Sequence, residues 1–284
     1  MSASWEPRPS TEPIYDSASR SAPLRGSLRD LYRYRALVRL LVTRDLTVRY
    51  KRSLLGVTWT VLNPLLQTIV MWLVFQHLFR FKIPGSVPYL VYLLSGILAV
   101  TYFQQGIAMT AASMVGSAAT LTRVYVPPAV FAVSAAAGGA VNFVFGLVPL
   151  FIFQLALGPG VAWTAIAIPF VLIFLLAMIA GIGLFVSTLA IRFDDVLNLI
   201  NVLLFLVGYL TPTFYPISII PVQFQRLFYL NPMFSYVIVF RYLDYGGSAP
   251  SWLAFVVVGL TGVVGLLGGL AIFARRWRHL AAYL

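Results

Sequence analysis

The residues that could carry chemistry in this sequence are few and scattered. Asp194 and Asp195 are adjacent carboxylates, while the two histidines, His77 and His279, lie too far apart to indicate a metal centre. Adjacent carboxylates can hold Mg²⁺ and a diphosphate, but no third one lies within a turn or two, and neighbouring helical residues point to different faces. The alternative, which we favour, is that Asp194 or Asp195 caps a helix whose N-terminal dipole attracts negative charge. We expect neither a metal site nor catalytic residues.

Other kinds of chemistry are excluded because the residues or motifs that they need are missing from the sequence. The chain has no cysteine, so disulfides and thiol catalysis are impossible, and it has no phosphate-binding G-x-x-x-x-G-K-[ST] loop. The apolar segments contain no Asp, Glu, Lys or Arg in their interiors, whereas ion-coupled carriers place ionisable groups there. If the protein moves a cargo uphill, the energy must come from another polypeptide.

The composition is that of a protein surrounded by lipid. Of 284 residues, 60% are hydrophobic and 10% are charged, against about 25% charged in soluble domains. The mean hydropathy is +0.90. The net charge is +12, and eleven of the twenty basic residues precede residue 53. This asymmetry is typical of a membrane protein whose basic segment stays in the cytoplasm near anionic lipid, and it makes nucleic acid the poorer alternative as a partner.

The N-terminal region divides into two parts. We predict a flexible cytoplasmic tail over residues 1–27 and an amphipathic helix over 28–52, lying in the headgroup plane of the membrane. An apolar stripe runs along this helix at Leu31, Tyr34, Val38, Leu41 and Val42. Basic side chains that could contact lipid headgroups are Arg44, Arg49, Lys51 and Arg52. The alternative is a soluble helix that docks on a partner protein.

Residues 53–284 are predicted to form a domain with six membrane spans, since each apolar segment can hold the roughly 20 residues that a crossing needs. The spans are expected at about 54–79, 87–119, 126–157, 161–191, 196–212 and 252–274. With six spans and a cytoplasmic N-terminus, sixteen basic residues lie inside and four outside. This distribution predicts that both termini are cytoplasmic.

The segment between the fifth and sixth spans, residues 211–251, is apolar but broken by Pro212, Pro216, Pro221 and Pro232. Irregular backbone persists at membrane depth only when it packs on protein or lines a watery cavity. We therefore predict re-entrant helices there, with a surface loop as the alternative. Small residues at Ala135–Ala140, and Gly265 with Gly269, could let helices approach closely, either within the chain or between two copies.

Four stretches, in this order and spacing, resemble the permease family of ATP-binding-cassette exporters for O-antigen, teichoic acid and related polysaccharides, the Wzm-like and TagG-like proteins. They are residues 44–56 followed by Asn63-Pro64, residues 121–127, residues 192–195, and residues 212–216 followed by Asn231-Pro232. Asp195 departs from the pattern, which usually has one acidic residue after the arginine. The resemblance covers nearly the whole chain beyond residue 28.

The resemblance implies a permease in the bacterial cytoplasmic membrane that works as a homodimer. Two separate nucleotide-binding ATPase subunits would bind ATP and Mg²⁺, while this chain would bind no cofactor. Contact with the ATPase would be made by the basic segment at 44–52 and by the turn after the second span. That turn consists of Leu121, Thr122, Arg123, Val124, Tyr125, Val126 and Pro127. For Arg123 the alternative is a simple positive-inside anchor.

The cargo that the resemblance implies is a polysaccharide on a polyprenyl-diphosphate carrier. Sugar rings stack on aromatic side chains, so an uncharged channel could be lined by Phe75, Tyr209, Phe214 and Tyr215. Two alternatives remain at this point: an integral-membrane enzyme acting on polyprenyl phosphates, and an exporter of the same fold that carries a drug or a simple lipid.

Overall fold

The computed structural model describes residues 32–51, 53–78, 87–117, 126–158, 160–193, 195–247 and 249–280. Throughout these ranges the regular structure is helical, without a strand, which confirms the predicted all-α class. In chain order the α-helices are α1 Arg35–Tyr50, α2 Thr58–Trp72, α3 Tyr89–Gly116, α4 Pro128–Leu157, α5 Ile168–Ala190, α6 Asp195–Tyr209, α7 Val222–Tyr229, α8 Pro232–Tyr245 and α9 Trp252–Leu280. The predicted tail over residues 1–27 lies outside the described residues.

Five helical segments are long and apolar enough to cross a membrane, and they coincide with five of the six predicted spans. They are Thr58–Leu78, Tyr89–Gly116, Ala129–Leu157, Trp163–Ala190 and Trp252–Arg276. The predicted fifth span corresponds to α6, which has 15 residues. At about 1.5 Å per residue α6 is roughly 22 Å long, shorter than the hydrocarbon core of about 30 Å.

Helix α2 departs from regular geometry in two places. Pro64 lies inside the helix, and the Thr68 hydroxyl donates to the Pro64 carbonyl at 2.6 Å. Beyond Trp72 the chain continues as a π-helix, Leu73–Leu78. Such wider turns are rare in proteins, and where they do occur they often lie at functional sites. Only 11% of the span formed by α2 and this π-helix is buried, so α2 is the most exposed of the five spans.

Helix α3 forms the centre of the bundle, with 72% of its span buried. Its neighbours α2, α4, α5, α6 and α8 all pack on it. Small residues let α3 and α5 approach each other closely, because a side chain at Gly183 would collide with Thr110, and one at Gly106 would collide with Ile179.

The closest pair of helices is α5 and α9. A Cβ atom at Gly181 would collide with the backbone of Gly265, and one at Gly269 would collide with the backbone of Gly181. The predicted small-residue contact at Gly265 and Gly269 is therefore made within the chain, against α5.

The apolar stripe of α1 docks on the bundle. Leu41 is buried, and Tyr34 and Val38 are partly buried against the same hydrophobic cluster. This cluster gathers the C-terminal parts of α3, α5 and α9 with the start of α4 through Met114, Ala129, Val130, Phe131, Ala132, Leu184, Leu270 and Phe273. The stripe thus packs on the chain's own bundle, a contact that neither of the two sequence-based interpretations of this helix included. We call this end of the bundle the α1 end, and the opposite end the α8 end.

Prolines mark the starts of the helices between α6 and α9. A proline is tolerated at a helix start because the N–H that it lacks would have no acceptor within the helix. Pro216 precedes a short 3₁₀ helix, Ile217–Ile219, and Pro221 precedes α7. Pro232 is the first residue of α8, which Asn231 caps by accepting a hydrogen bond from the Met233 amide at 3.0 Å. Helix α8 is largely buried, so this segment is folded onto the bundle.

Candidate functional site

A cavity of about 650 Å³ lies between α2, α3 and α4 and reaches the C-terminal end of α1. Its walls combine polar and aromatic side chains: Arg49, Ser53, Trp59, Thr60, Asn63, Gln67, Thr101, Tyr102, Gln105, Asn142 and Phe143 contribute, together with smaller and apolar residues. We call it the wide cavity. Its volume falls within the range of about 300–1,000 Å³ that is typical of small-molecule sites.

Helical spacing brings the polar groups of the wide cavity to one place. Asn63 and Gln67 are one turn apart on α2, and Thr101 and Gln105 are one turn apart on α3, so each pair lies on one face of its helix. Asn142 adds a third carboxamide-bearing helix, α4. The result is a concentration of neutral donors and acceptors inside an apolar bundle.

Two of these polar groups lack strong partners. The buried Oδ1 atom of Asn142 has no hydrogen-bond partner among the described residues. Arg49 Nη2 lies 2.9 Å from the Sδ atom of Met109, and a thioether sulfur is only a weak acceptor. Both side chains line the wide cavity, which therefore offers hydrogen-bonding capacity to a ligand.

A second cavity of about 80 Å³ continues toward the α8 end between α2, α3 and α6. Gln67 and Thr101 line both cavities, so the two share a polar wall. We call the second one the narrow cavity. Helix α6 is held beside it because Gln104 Nε2 donates to the Leu204 carbonyl at 2.8 Å, and because Gly208 leaves room for the Gln104 amide.

Three of the four predicted channel residues come together at the narrow cavity. Phe75 and Phe214 have parallel rings with centroids 6.2 Å apart, and Tyr209 lies 6.2 Å from Phe214. Tyr209 and Phe214 line the narrow cavity. Tyr215 instead lies close to Tyr92, whose hydroxyl donates to the Tyr215 carbonyl at 3.0 Å. Tyr215 is not among the residues that line the narrow cavity.

The start of the segment after α6 is tied to α3 by a buried arginine. Arg241 on α8 donates to the carbonyls of Pro212 and Thr213 at 3.2 and 3.0 Å. It also donates to the Tyr92 carbonyl at 3.0 Å, and its guanidinium carbon lies 3.6 Å from the centroid of the Tyr92 ring. Tyr89 adds a hydrogen bond to the Phe214 carbonyl at 2.8 Å. These contacts fix the aromatic side of the narrow cavity.

The predicted ATPase contact is only partly within the described residues. Leu121, Thr122, Arg123, Val124 and Tyr125 lie outside them, as does Arg52. The remaining two residues of the turn, Val126 and Pro127, lead into α4, with Val126 packed on the α1-end cluster.

The basic segment of α1 is open to solvent at its C-terminal end. Arg44 pairs with its neighbour Asp45 at 2.9 Å, and Lys51 is exposed. Asp195 is the first residue of α6, where an acidic side chain suits the helix dipole. Asp194, the alternative predicted cap, lies outside the described residues, and no group of three or more potential metal ligands occurs within the described residues.

Helices α2 and α6 expose carboxamides as well as apolar side chains. Asn63, Gln76, Asn198 and Asn201 are all exposed in the single chain. An amide facing hydrocarbon without a partner costs about 4–8 kcal/mol. These faces are therefore unsuited to lipid and fit a contact with water or with protein.

Sequence reasoning did not identify Asn63, Gln67, Asn142 or Arg241 as site residues. The spacing of Asn63 and Gln67, both carboxamides one turn apart in an apolar helix, was a usable signal. Arg241 offered no such signal, because the sequence places it among the four basic residues on the outer side of the membrane. Its burial depends on a fold-back of α8 that no local pattern specifies.

Residues 36–245 match the family described as ABC-2 type transporter. A protein of Myxococcus xanthus named O-antigen export system permease protein RfbA is 29% identical over 256 residues, which cover 89% of this chain and 97% of that protein. Two proteins of the same name from Klebsiella pneumoniae are 27% identical over 241 residues, or 84% of this chain and 91% of theirs. These similarities confirm the resemblance drawn from the four sequence stretches. The chain belongs to the ABC-2 type transporter family of membrane proteins.

Proposed function

We propose that this chain is the membrane subunit of an ATP-driven exporter that moves a polyprenyl-diphosphate-linked polysaccharide across the bacterial cytoplasmic membrane. The observation that carries the proposal is the family match over residues 36–245, joined by relatives whose names specify O-antigen export and whose length this chain nearly covers. The chain contains no phosphate-binding loop of its own, so ATP and Mg²⁺ would be bound by a separate ATPase subunit.

In this proposal the chain crosses the membrane six times, with α6 and the residues after it forming the fifth crossing. Both termini are cytoplasmic, because sixteen basic residues then lie inside and four outside. The α1 end is thus the cytoplasmic end, where α1 lies at the membrane surface with its basic side toward the headgroups. Helices α7 and α8 re-enter from the outer side. The wide and narrow cavities would be successive parts of the cargo route.

Two copies of the chain would face each other through α2 and α6. Support comes from the exposed carboxamides of these helices, which need a polar or protein environment. The ATPase subunits would sit below the α1 end, contacting residues 121–127 and the segment 44–52. Helices packed as rigid bodies at this end could convert closure of the ATPase into a rotation of the bundle.

The experiment is reconstitution into liposomes, with the companion ATPase subunit present or absent. We expect a labelled polyprenyl-diphosphate oligosaccharide to move only when both subunits and ATP are present. An ATPase variant with alanine in place of its phosphate-loop lysine should give no movement. Uphill movement by this chain alone, or failure of any ATPase subunit to co-purify with it, would rule the proposal out.

A further inference from the structure

The wide cavity has the chemistry of a carbohydrate site. Arg49 is the one charged side chain among the described residues that line it, whereas the carboxamides of Asn63, Gln67, Gln105 and Asn142 are neutral. A carboxamide both donates and accepts hydrogen bonds, as a sugar hydroxyl does. The Trp59 ring in the same wall offers an apolar face with a polar edge, which suits the C–H face of a sugar.

A lipid tail is a poor occupant of this cavity. It would leave the buried Oδ1 atom of Asn142 without a partner, and a buried, unpaired polar group costs about 1–3 kcal/mol. An incoming hydroxyl would gain the most binding free energy by donating to the unpartnered Oδ1 atom of Asn142. A diphosphate alone fits no better, because a single arginine cannot neutralise it and carboxamides supply only neutral hydrogen bonds.

Arg49 can exchange its present contact with the Met109 sulfur for a stronger acceptor. Its Nη2 atom donates to the Met109 sulfur, a weak acceptor, and the residue lies near the C-terminal end of α1, at the edge of the cavity. A phosphate oxygen is a far stronger acceptor for a guanidinium, and the two form paired hydrogen bonds. Replacing the thioether by a phosphate is therefore favourable.

We propose that the wide cavity of each single subunit binds the sugar residues that adjoin the lipid phosphate, with Arg49 contacting the phosphate at the mouth. This inference rests on the proposed function and adds to it the part of the cargo that is recognised. The cavity selects neutral sugar through Asn63, Gln67, Gln105 and Asn142, whereas Arg49 sets only its position. A volume of about 650 Å³ holds a short run of sugars and not a long chain.

The absence of cysteine from the chain allows a direct test. In the permease–ATPase complex, Ala108→Cys places a thiol in the cavity wall without removing a polar contact. The probe is farnesyl-diphosphate-linked N-acetylglucosamine, compared with farnesyl diphosphate. We expect the sugar probe to slow maleimide labelling of the cysteine about tenfold and farnesyl diphosphate to change it less than twofold. Thr43→Cys, which is exposed on α1, should label at the same rate with either compound.

Two variants in the Ala108→Cys background test the assigned contacts. Asn142→Leu and Arg49→Gln should each raise the concentration of sugar probe needed for half-protection about tenfold, while Val144→Leu, on the exposed face of α4, should leave it unchanged. Protection that is equal for farnesyl diphosphate, or absent for both probes, overturns the inference. If the permease–ATPase complex still shows ATP-driven export in that case, only the cavity assignment fails. If the complex shows no ATP-dependent export, the proposed function itself is refuted.

Discussion

Arg241 is a buried cation whose hydrogen bonds within the described structure go to neutral oxygen atoms. Three main-chain carbonyls and the Ser95 hydroxyl accept from it, and the Tyr92 ring lies against its flat face. A guanidinium can satisfy so many acceptors because its five N–H groups form a rigid, planar fork. One side chain thereby ties α8, α3 and the chain after α6 together.

Replacing Arg241 with lysine should keep the charge but lose most of these contacts. We expect Arg241→Lys to lower the free energy of unfolding by about 2–4 kcal/mol, because a hydrogen bond to a charged group contributes about 1.5–3 kcal/mol. The measurement is unfolding of the detergent-solubilised protein in a denaturing-detergent titration. Arg226→Lys on the exposed face of α7 is the control and should change stability by less than about 0.5 kcal/mol. Equal stability of the two variants would contradict the structural role of Arg241.

Polar residues of the site were hard to predict from sequence for a physical reason. Asn63, Gln67, Gln105 and Asn142 lie on three helices, and periodicity assigns each to a face without telling which faces meet. The aromatic residues were easier, because Phe214 lies beside proline-rich chain that must fold back, close to Tyr209. Tyr215 is not among the residues that line the narrow cavity, and its place in the channel stays a prediction.

At the level of helices, the contact between α5 and α9 depends on three glycines. Gly181, Gly265 and Gly269 let the two backbones touch, as the distances from hypothetical Cβ atoms show. Close approach of this kind is a main source of helix association in lipid, where apolar burial gives no net gain.

Neighbouring glycines in α9 offer a matched test of this contact. Gly269→Ala would push a methyl group into the backbone of Gly181, whereas a Cβ at Gly268 meets nothing within 4 Å. We expect Gly269→Ala to destabilise the protein by about 1–3 kcal/mol through overpacking. Gly268→Ala should be neutral or stabilising by up to about 1 kcal/mol, because alanine favours helix. Identical unfolding curves for the two variants would show that the contact is not tight.

Hydropathy located the spans well because lipid imposes one strong requirement, about 20 apolar residues for each crossing. Five of the six predicted spans match long helices to within a few residues at most ends. Helix α6 is shorter than predicted because Pro212 lies only three residues beyond its end at Tyr209, and proline cannot continue the helical hydrogen bonds of the backbone. The docking of α1 on the bundle could not be predicted, since an amphipathic stripe fits lipid and protein equally well.

At the scale of the whole molecule, the single chain leaves one side unsuited to lipid. Helix α6 carries Asn198 and Asn201 on exposed positions, and the π-helix that continues α2 carries Gln76. By contrast, the exposed positions of α5 include Phe170 and Ile173, which suit hydrocarbon. The distribution of polar side chains thus distinguishes the α2 and α6 side, which we propose contacts a second copy, from the more uniformly apolar surface of α5.

A single-cysteine experiment can test this distinction, again without background from native thiols. We expect Asn201→Cys on α6 to give a covalent dimer with a bifunctional maleimide in native membranes. Ile173→Cys on α5, which is also exposed, should remain monomeric because it faces lipid. Cross-linking at residue 173 but not at 201 would place the second copy on the other side of the bundle.

The wall common to the wide and narrow cavities, Gln67 and Thr101, bears on how a bound molecule could advance. A molecule leaving the wide cavity could keep its hydrogen bonds to these two side chains while it forms new ones in the narrow cavity. Its hydrogen bonds would then be exchanged one at a time. No intermediate position then requires all of them to be broken together. In the proposed route, the activation barrier for stepping between the two cavities would accordingly be lower than that for escaping sideways into hydrocarbon, whereas the direction of movement would come from ATP hydrolysis on the partner subunit.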